Sequence, residues 1–216
     1  ILSQGDIISM PTNMFRGFEN AGKEEGLIFV VLGNDDPGII TWVPNVLIKA
    51  KETGLALLDD NSLVDLNESE IPPNKKLLEP ITNEMLQKFD NYEINEIENF
   101  ICRLKNQTNH EIDLKNGIKL LQIIGSNFSN KNYSHLIDHN TGFNLSILKA
   151  KKGLIEDLIF DKPTILFSQK GNWKVKIGKD EFNINSKDTF SLPLNTKLSI
   201  SIDNNEDCFL NCVSKA

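Results

Sequence analysis

The sequence predicts a mainly β protein: a sandwich or jelly-roll barrel at the C-terminal end, and a second β-rich stretch at the N-terminus, joined by a helical connector. Three observations predict it. The stretch GDIISMPTNMFRGFEN (Gly5 to Asn20) returns in altered form as KDTFSLPLNTKLSISIDN from Lys187. Asp6 falls on Asp188, Ser9 on Ser191, Pro11 on Pro193 and Asn13 on Asn195, each pair 182 residues apart with no gap. The register continues through Glu24 and Glu206, Glu25 and Asp207, and Leu27 and Phe209, the spacing of a duplicated unit. From Gly117 onward, short apolar runs follow one another between Gly, Asn, Asp and Pro, which is strand habit. Between these ends the apolar spacing is helical.

In chain order, Ile7, Ile8 and Met10 form a short strand that Pro11 ends, since proline donates nothing to a ladder. Met14, Arg16 and Phe18 then share one face of an extended segment, with Phe15 and Gly17 on the other. Leu27 to Leu32 reads as a strand buried on both faces, and Asn34-Asp35-Asp36-Pro37-Gly38 as a turn. Pro44 at a first helical position, Val46, Leu47 and Ala50 at helical spacing, and Gly54 as a stop predict a helix over 44–53. Leu55 to Leu58 and Leu63 to Leu66 predict a small hairpin, and Glu68 to Pro80 an exposed linker. Thr82 is a cap for a helix carrying Met85, Leu86 and Phe89, and Ile94, Ile97, Ile101 and Leu104 stripe a second one. Strands are then expected at 120–124, 144–149, 165–168, 173–177, 181–184, 189–192, 198–202 and 208–213.

Composition bounds the function. With 39% hydrophobic residues among 216, the chain has enough apolar surface for one sizeable core or two small ones. A net charge of -7, with no basic cluster interleaved with aromatics, argues against nucleic acid as a partner. No apolar run has the roughly 20 residues that span a bilayer, so no membrane partner is expected. Cys102, Cys208 and Cys212 are an odd count without CxxC spacing and read as reduced thiols in a cytoplasmic setting. The chain opens on Ile rather than Met, just before the second half of a repeat unit, and is expected to be a fragment.

Three stretches carry a resemblance to a known family: Gly5 to Asn20, Val31 to Asp65 (VLGNDDPGIITWVPNVLIKAKETGLALLDDNSLVD), and Ile165 to Asn195 (ILFSQKGNWKVKIGKDEFNINSKDTFSLPLN). With a weaker match at LLQIIG (Leu120 to Gly125), they resemble the cupins, and more specifically the two-barrel bacterial cupins labelled quercetin dioxygenase-like. The resemblance implies a cupin double-stranded β-helix, or jelly roll, with a partial first barrel and a complete second one. Residues 1–42 would be the C-terminal half of the first barrel, 43–116 a helical connector and linker, and 117–216 the second barrel.

Cupin enzymes hold a divalent metal with His, His and Glu from one motif and His from a second, because imidazole and carboxylate suit iron, manganese, zinc or nickel. Carried over residue by residue, the second-motif histidine place, five after Pro11, is Arg16, and five after Pro193 it is Leu198. Leu158 to Thr164 contains no histidine, and Thr164 stands where the glutamate belongs. Apolar side chains do not ligate a metal and a guanidinium repels one. The second barrel is therefore expected to hold no metal and no cofactor. The alternative is iron or another divalent metal in the first barrel, whose first motif would precede Ile1. His110, His135 and His139 lie in the connector and a polar loop and read as surface residues.

The candidate ligand-binding residues are Met14, Arg16, Phe18 and Trp42: one fixed positive charge among apolar walls suits an anionic or carboxylate ligand. In the alternative, Arg16 pairs with a carboxylate at the barrel mouth and closes it. The expected function is a degenerate cupin that binds a small organic acid or serves structurally. Its alternative is a metal-dependent quercetinase-like dioxygenase; no catalytic residue is assigned. A half barrel leaves unpaired strand edges, which predicts a homodimer.

Overall fold

The computed structural model of the chain describes residues 1–33, 40–114, 116–125, 135–138 and 142–216. The expected turn at Asn34 to Gly38 and the residue His139 lie outside them. The elements begin with β1 (Ile7–Ile8), α1 (Pro44–Glu52), β2 (Leu55–Leu57), β3 (Leu63–Asp65), α2 (Asn83–Leu86), α3 (Ile94–Glu98) and β4 (Ile101–Cys102). They continue with β5 (Ile112–Asp113), β6 (Lys119–Ile124), β7 (Phe143–Ile159), β8 (Thr164–Lys170), β9 (Trp173–Ile177), β10 (Asp180–Ile184), β11 (Thr189–Leu192) and β12 (Lys197–Lys215). They fall into two compact units. One comprises Ile1–Pro11, Leu27–Asp35 and Glu93–Ala216, the other Thr12–Gly26 and Asp36–Tyr92.

The larger unit is a jelly roll, and two long strands make it one. β7, at 17 residues, and β12, at 19, pair antiparallel over most of their lengths and run through both layers. The first half of β7 joins β6 and the last part of β12 joins β8, with β11 beyond β8; the first part of β12 joins β9, with β10 beyond β9. Alternating residues of these strands fill the interior. Leu120, Leu148, Leu166, Trp173, Val175, Ile184, Leu192, Leu198, Ile200 and Leu210 are all buried in one cluster. The opposite face of the β6–β7–β12–β8 layer is also apolar, and Ile7, Val31, Cys102, Leu104 and Ile137 pack over it. At Gly171, φ is +96° and a Cβ would stand 2.3 Å from the Cys208 sulfur, so the β8–β9 turn accepts glycine alone.

The two copies of the repeat share local geometry. Gly5 and Lys187 both have positive φ, 92° and 77°. Asp6 accepts from the backbone N–H of Ser3 and Asp188 from that of Asn185, each 2.9 Å and three residues upstream. Asn13 and Asn195 both sit at φ 60°. The identities that betray the repeat are thus turn residues: asparagine tolerates the left-handed region and aspartate ties its own turn.

Most elements stand where expected. In the smaller unit Pro44 opens α1, and Gly54, at φ 86°, follows its end. β2 and β3 form the hairpin, and Thr82 caps α2 by accepting from the Met85 N–H. Three expectations change. Leu27 to Leu32 forms no strand, and Leu27, Ile28, Val30 and Leu32 are exposed. A strand needs a ladder, and no described segment pairs with it; Phe29 stacks on Phe167 instead, at 4.0 Å. The helix expected from Ile94 to Leu104 stops at Glu98, because Ile101 and Cys102 pair with Ile8 and Ile7. Met14 to Phe18 forms no strand either. There Phe15, on the face opposite Met14, Arg16 and Phe18, packs on Phe89 at 4.4 Å.

Candidate functional site

The interior of the jelly roll is where the resemblance locates metal ligands, so its lining decides what chemistry it can do. Leu198, at the second-motif histidine place, is buried in the same cluster as Phe160, and Leu158 packs against them. The Asn195 N–H donates to the Phe160 carbonyl at 2.9 Å, tying the two motif loops together. Thr164 donates its hydroxyl to the Lys162 carbonyl, so it closes its own turn. Leu198 thus puts hydrocarbon where the resemblance implies imidazole. Among the described residues no group of three or more His, Cys, Asp or Glu could hold a metal ion.

One end of the interior is polar. Gln122, Asn144, Ser146, Thr164 and Ser214 are buried on neighbouring strands, with Ser146 directly opposite both Gln122 and Cys212. The Ser146 hydroxyl has no hydrogen-bond partner among the described residues. Sequence reading passed over this row, although its two-residue spacing along β7 was visible.

The four candidate ligand residues belong to the smaller unit. Arg16 and Phe18 are exposed, Met14 is half-buried and Trp42 is exposed. Met14, Arg16 and Phe18 therefore do not line a barrel strand, and neither groove of the jelly roll described next is lined by any of the four. Trp173 is buried in the core. Of the histidines, His135 lies 3.4 Å from Asp138 and His110 is exposed in a short turn. Burial pushes the thiols up in all three cysteines, that of Cys102 to about 11, which makes them unreactive.

The most developed charged site lies on the outer wall of the jelly roll. Lys119 of β6 and Lys149 of β7 are directly opposite each other, an arrangement that repels. Glu111, just before β5, enters between them. Its carboxylate accepts from the Lys119 ammonium at 2.6 Å and from that of Lys149 at 2.5 Å. The Glu111 side chain is only 5% exposed, against 50% for Lys119 and 19% for Lys149. Burial pushes the Glu111 carboxyl up, but the two lysine hydrogen bonds outweigh it and hold the carboxyl below its ordinary value. The same bond raises Lys119, so both partners stay ionised at neutral pH. The triad forms one wall of a groove of about 520 Å³, completed by Lys151, Lys152 and Asp207. A second groove, of about 660 Å³, shares Lys152 and is lined mainly by Asn116, Asn172, Asn183 and Lys174.

Two long continuous strands and a filled interior define the class: a mainly β jelly roll. No protein-family model matches the chain, and no curated protein matches it by sequence. Among solved structures it is similar to the EutQ protein of Clostridium difficile, at 11% identity over 58% of this chain and 91% of that one, with a TM-score of 0.40. It is similar also to an RmlC-like cupin of Shewanella frigidimarina, at 10% identity over 49% of this chain and 81% of that one, TM-score 0.37. A third is a cupin superfamily protein of Desulfitobacterium hafniense, at 8% identity over 48% and 83%, TM-score 0.35.

Proposed function

We propose that the protein is a degenerate cupin, whose jelly roll binds a small organic anion or serves as a structural module rather than carrying out metal chemistry. One observation carries the reading: Leu198, where the resemblance puts the second-motif histidine, is buried in one filled core with Phe160, and Leu158 packs against them. To admit a metal there, core side chains would have to be exchanged for imidazole or carboxylate. The buried thiols, none in a disulfide, support a reducing, cytoplasmic setting.

Metal analysis tests the reading against the quercetinase-like dioxygenase. Protein purified without chelator and analysed by plasma emission should carry far less than one equivalent of iron, manganese, nickel or zinc. A stoichiometric metal would overturn the degenerate reading and restore the dioxygenase.

Self-association belongs to the same proposal. Ile28, Val30 and Leu32 present an exposed apolar face, and their backbone lies in no ladder among the described residues. Light scattering at micromolar concentration should return twice the mass of 24.3 kDa. A clean monomer would remove the homodimer from the reading.

A further inference from the structure

The groove at Glu111 is built around charge in a way that packing does not require. Hydrocarbon in place of both Glu111 and Lys149, with Lys119 swung into solvent, would serve the fold about as well. Instead Glu111 holds Lys119 and Lys149 at fixed positions on adjacent strands.

The strands around the groove are also irregular. Asp203 of β12 is opposite Lys152 and Cys208 is opposite Ala150, so residues 204–207 bulge out against the single residue Lys151. On the other side Gly117 lies so close that a Cβ there would be 2.4 Å from the Lys152 carbonyl oxygen. A bulge re-aims side chains, and this one opens the wall where the lysines converge. Four lysines face two carboxylates in a chain whose net charge is -7. Lys151 has no ion-pair partner among the described residues, and Lys152 shares only an exposed pair with Asp203, at 3.2 Å.

We infer that this lysine groove, centred on Glu111 and the Lys119–Lys149 pair, binds a compact oxyanion carrying two or more clustered negative charges. A phosphoryl group and a polycarboxylate share that chemistry. Glu111 sets the lysine spacing, and with Asp207, 3.7 Å from Lys149, it offsets two of the four cations. Lys151 and Lys152 supply the charge left over, as point donors to the ligand oxygens. The inference rests on the reading of the jelly roll as an anion-binding module, and it moves the site from Arg16 to this wall.

Titration calorimetry with inorganic pyrophosphate and with citrate, on the full chain at two salt concentrations, tests it. Wild type should bind at least one probe with an affinity that falls as salt rises. The preferred probe then tells phosphoryl from carboxylate recognition. Lys151→Ala/Lys152→Ala should weaken binding roughly tenfold or more, about 1.4 kcal/mol or above. Both residues are exposed, so its melting temperature should equal that of wild type. Arg16→Ala should bind like wild type. Binding lost in Arg16→Ala and kept in the double lysine variant would overturn this site while leaving the proposed function standing. No binding of either probe by wild type at millimolar concentration would overturn the inference, and the degenerate reading would then rest on metal content alone.

Discussion

Trp173→Ala should destabilise the jelly roll by about 3–5 kcal/mol, the range for removing a large aromatic from a packed interior. Trp173 is fully buried at the start of β9, opposite Ile184 of β10, in the cluster that also contains Phe160 and Leu198. Its indole N–H donates to the Lys170 carbonyl at 3.3 Å, so truncation both opens a cavity and orphans an acceptor. Urea denaturation followed by circular dichroism measures the loss as a lower midpoint at unchanged slope. Trp173→Phe, which keeps most of the volume, should lose less than half as much. A loss under about 1 kcal/mol for the alanine variant would mean a loose interior.

Glu111→Leu should cost about 2–3 kcal/mol. Removing one partner of a buried pair costs about 3–5 kcal/mol when the remaining charge stays buried. Here Lys119 is half exposed and swings into water, whereas Lys149, at 19% exposure, is left facing it across the ladder. The double variant Glu111→Leu/Lys149→Met should recover most of the loss, because exchanging both members of a pair for hydrocarbon is near neutral.

The pH dependence of this difference has a definite sign. The Glu111 carboxyl is depressed in the folded state. Its contribution is therefore fully present above the unfolded carboxylate value, roughly 4.3, and is lost as pH falls through the lower folded value. The gap between wild type and Glu111→Leu should stay constant from pH 7 to about 5 and shrink below about 4. A gap that widened in acid would mean the carboxylate is not held by the lysines.

The sequence by itself determined the strand-and-turn frame of the jelly roll, the helix opened by Pro44, the hairpin at Asp59 to Asn61 and the duplicated turns. These are local properties: a two-residue period, a proline, an asparagine that accepts positive φ and an aspartate that closes its own turn all act within a few residues. Only the tertiary structure decided that Leu27 to Leu32 stays out of any ladder, that Ile101 leaves its helix to pair with Ile8, and that Phe15 rather than Met14 or Phe18 is packed. Each of those depends on a partner far along the chain, and an apolar run carries no mark of which partner it will meet. The Glu111 site was hidden for the same reason. Residues 111, 119, 149 and 207 look like ordinary surface charges in sequence, and gather around one buried carboxylate only when β6, β7 and β12 lie side by side.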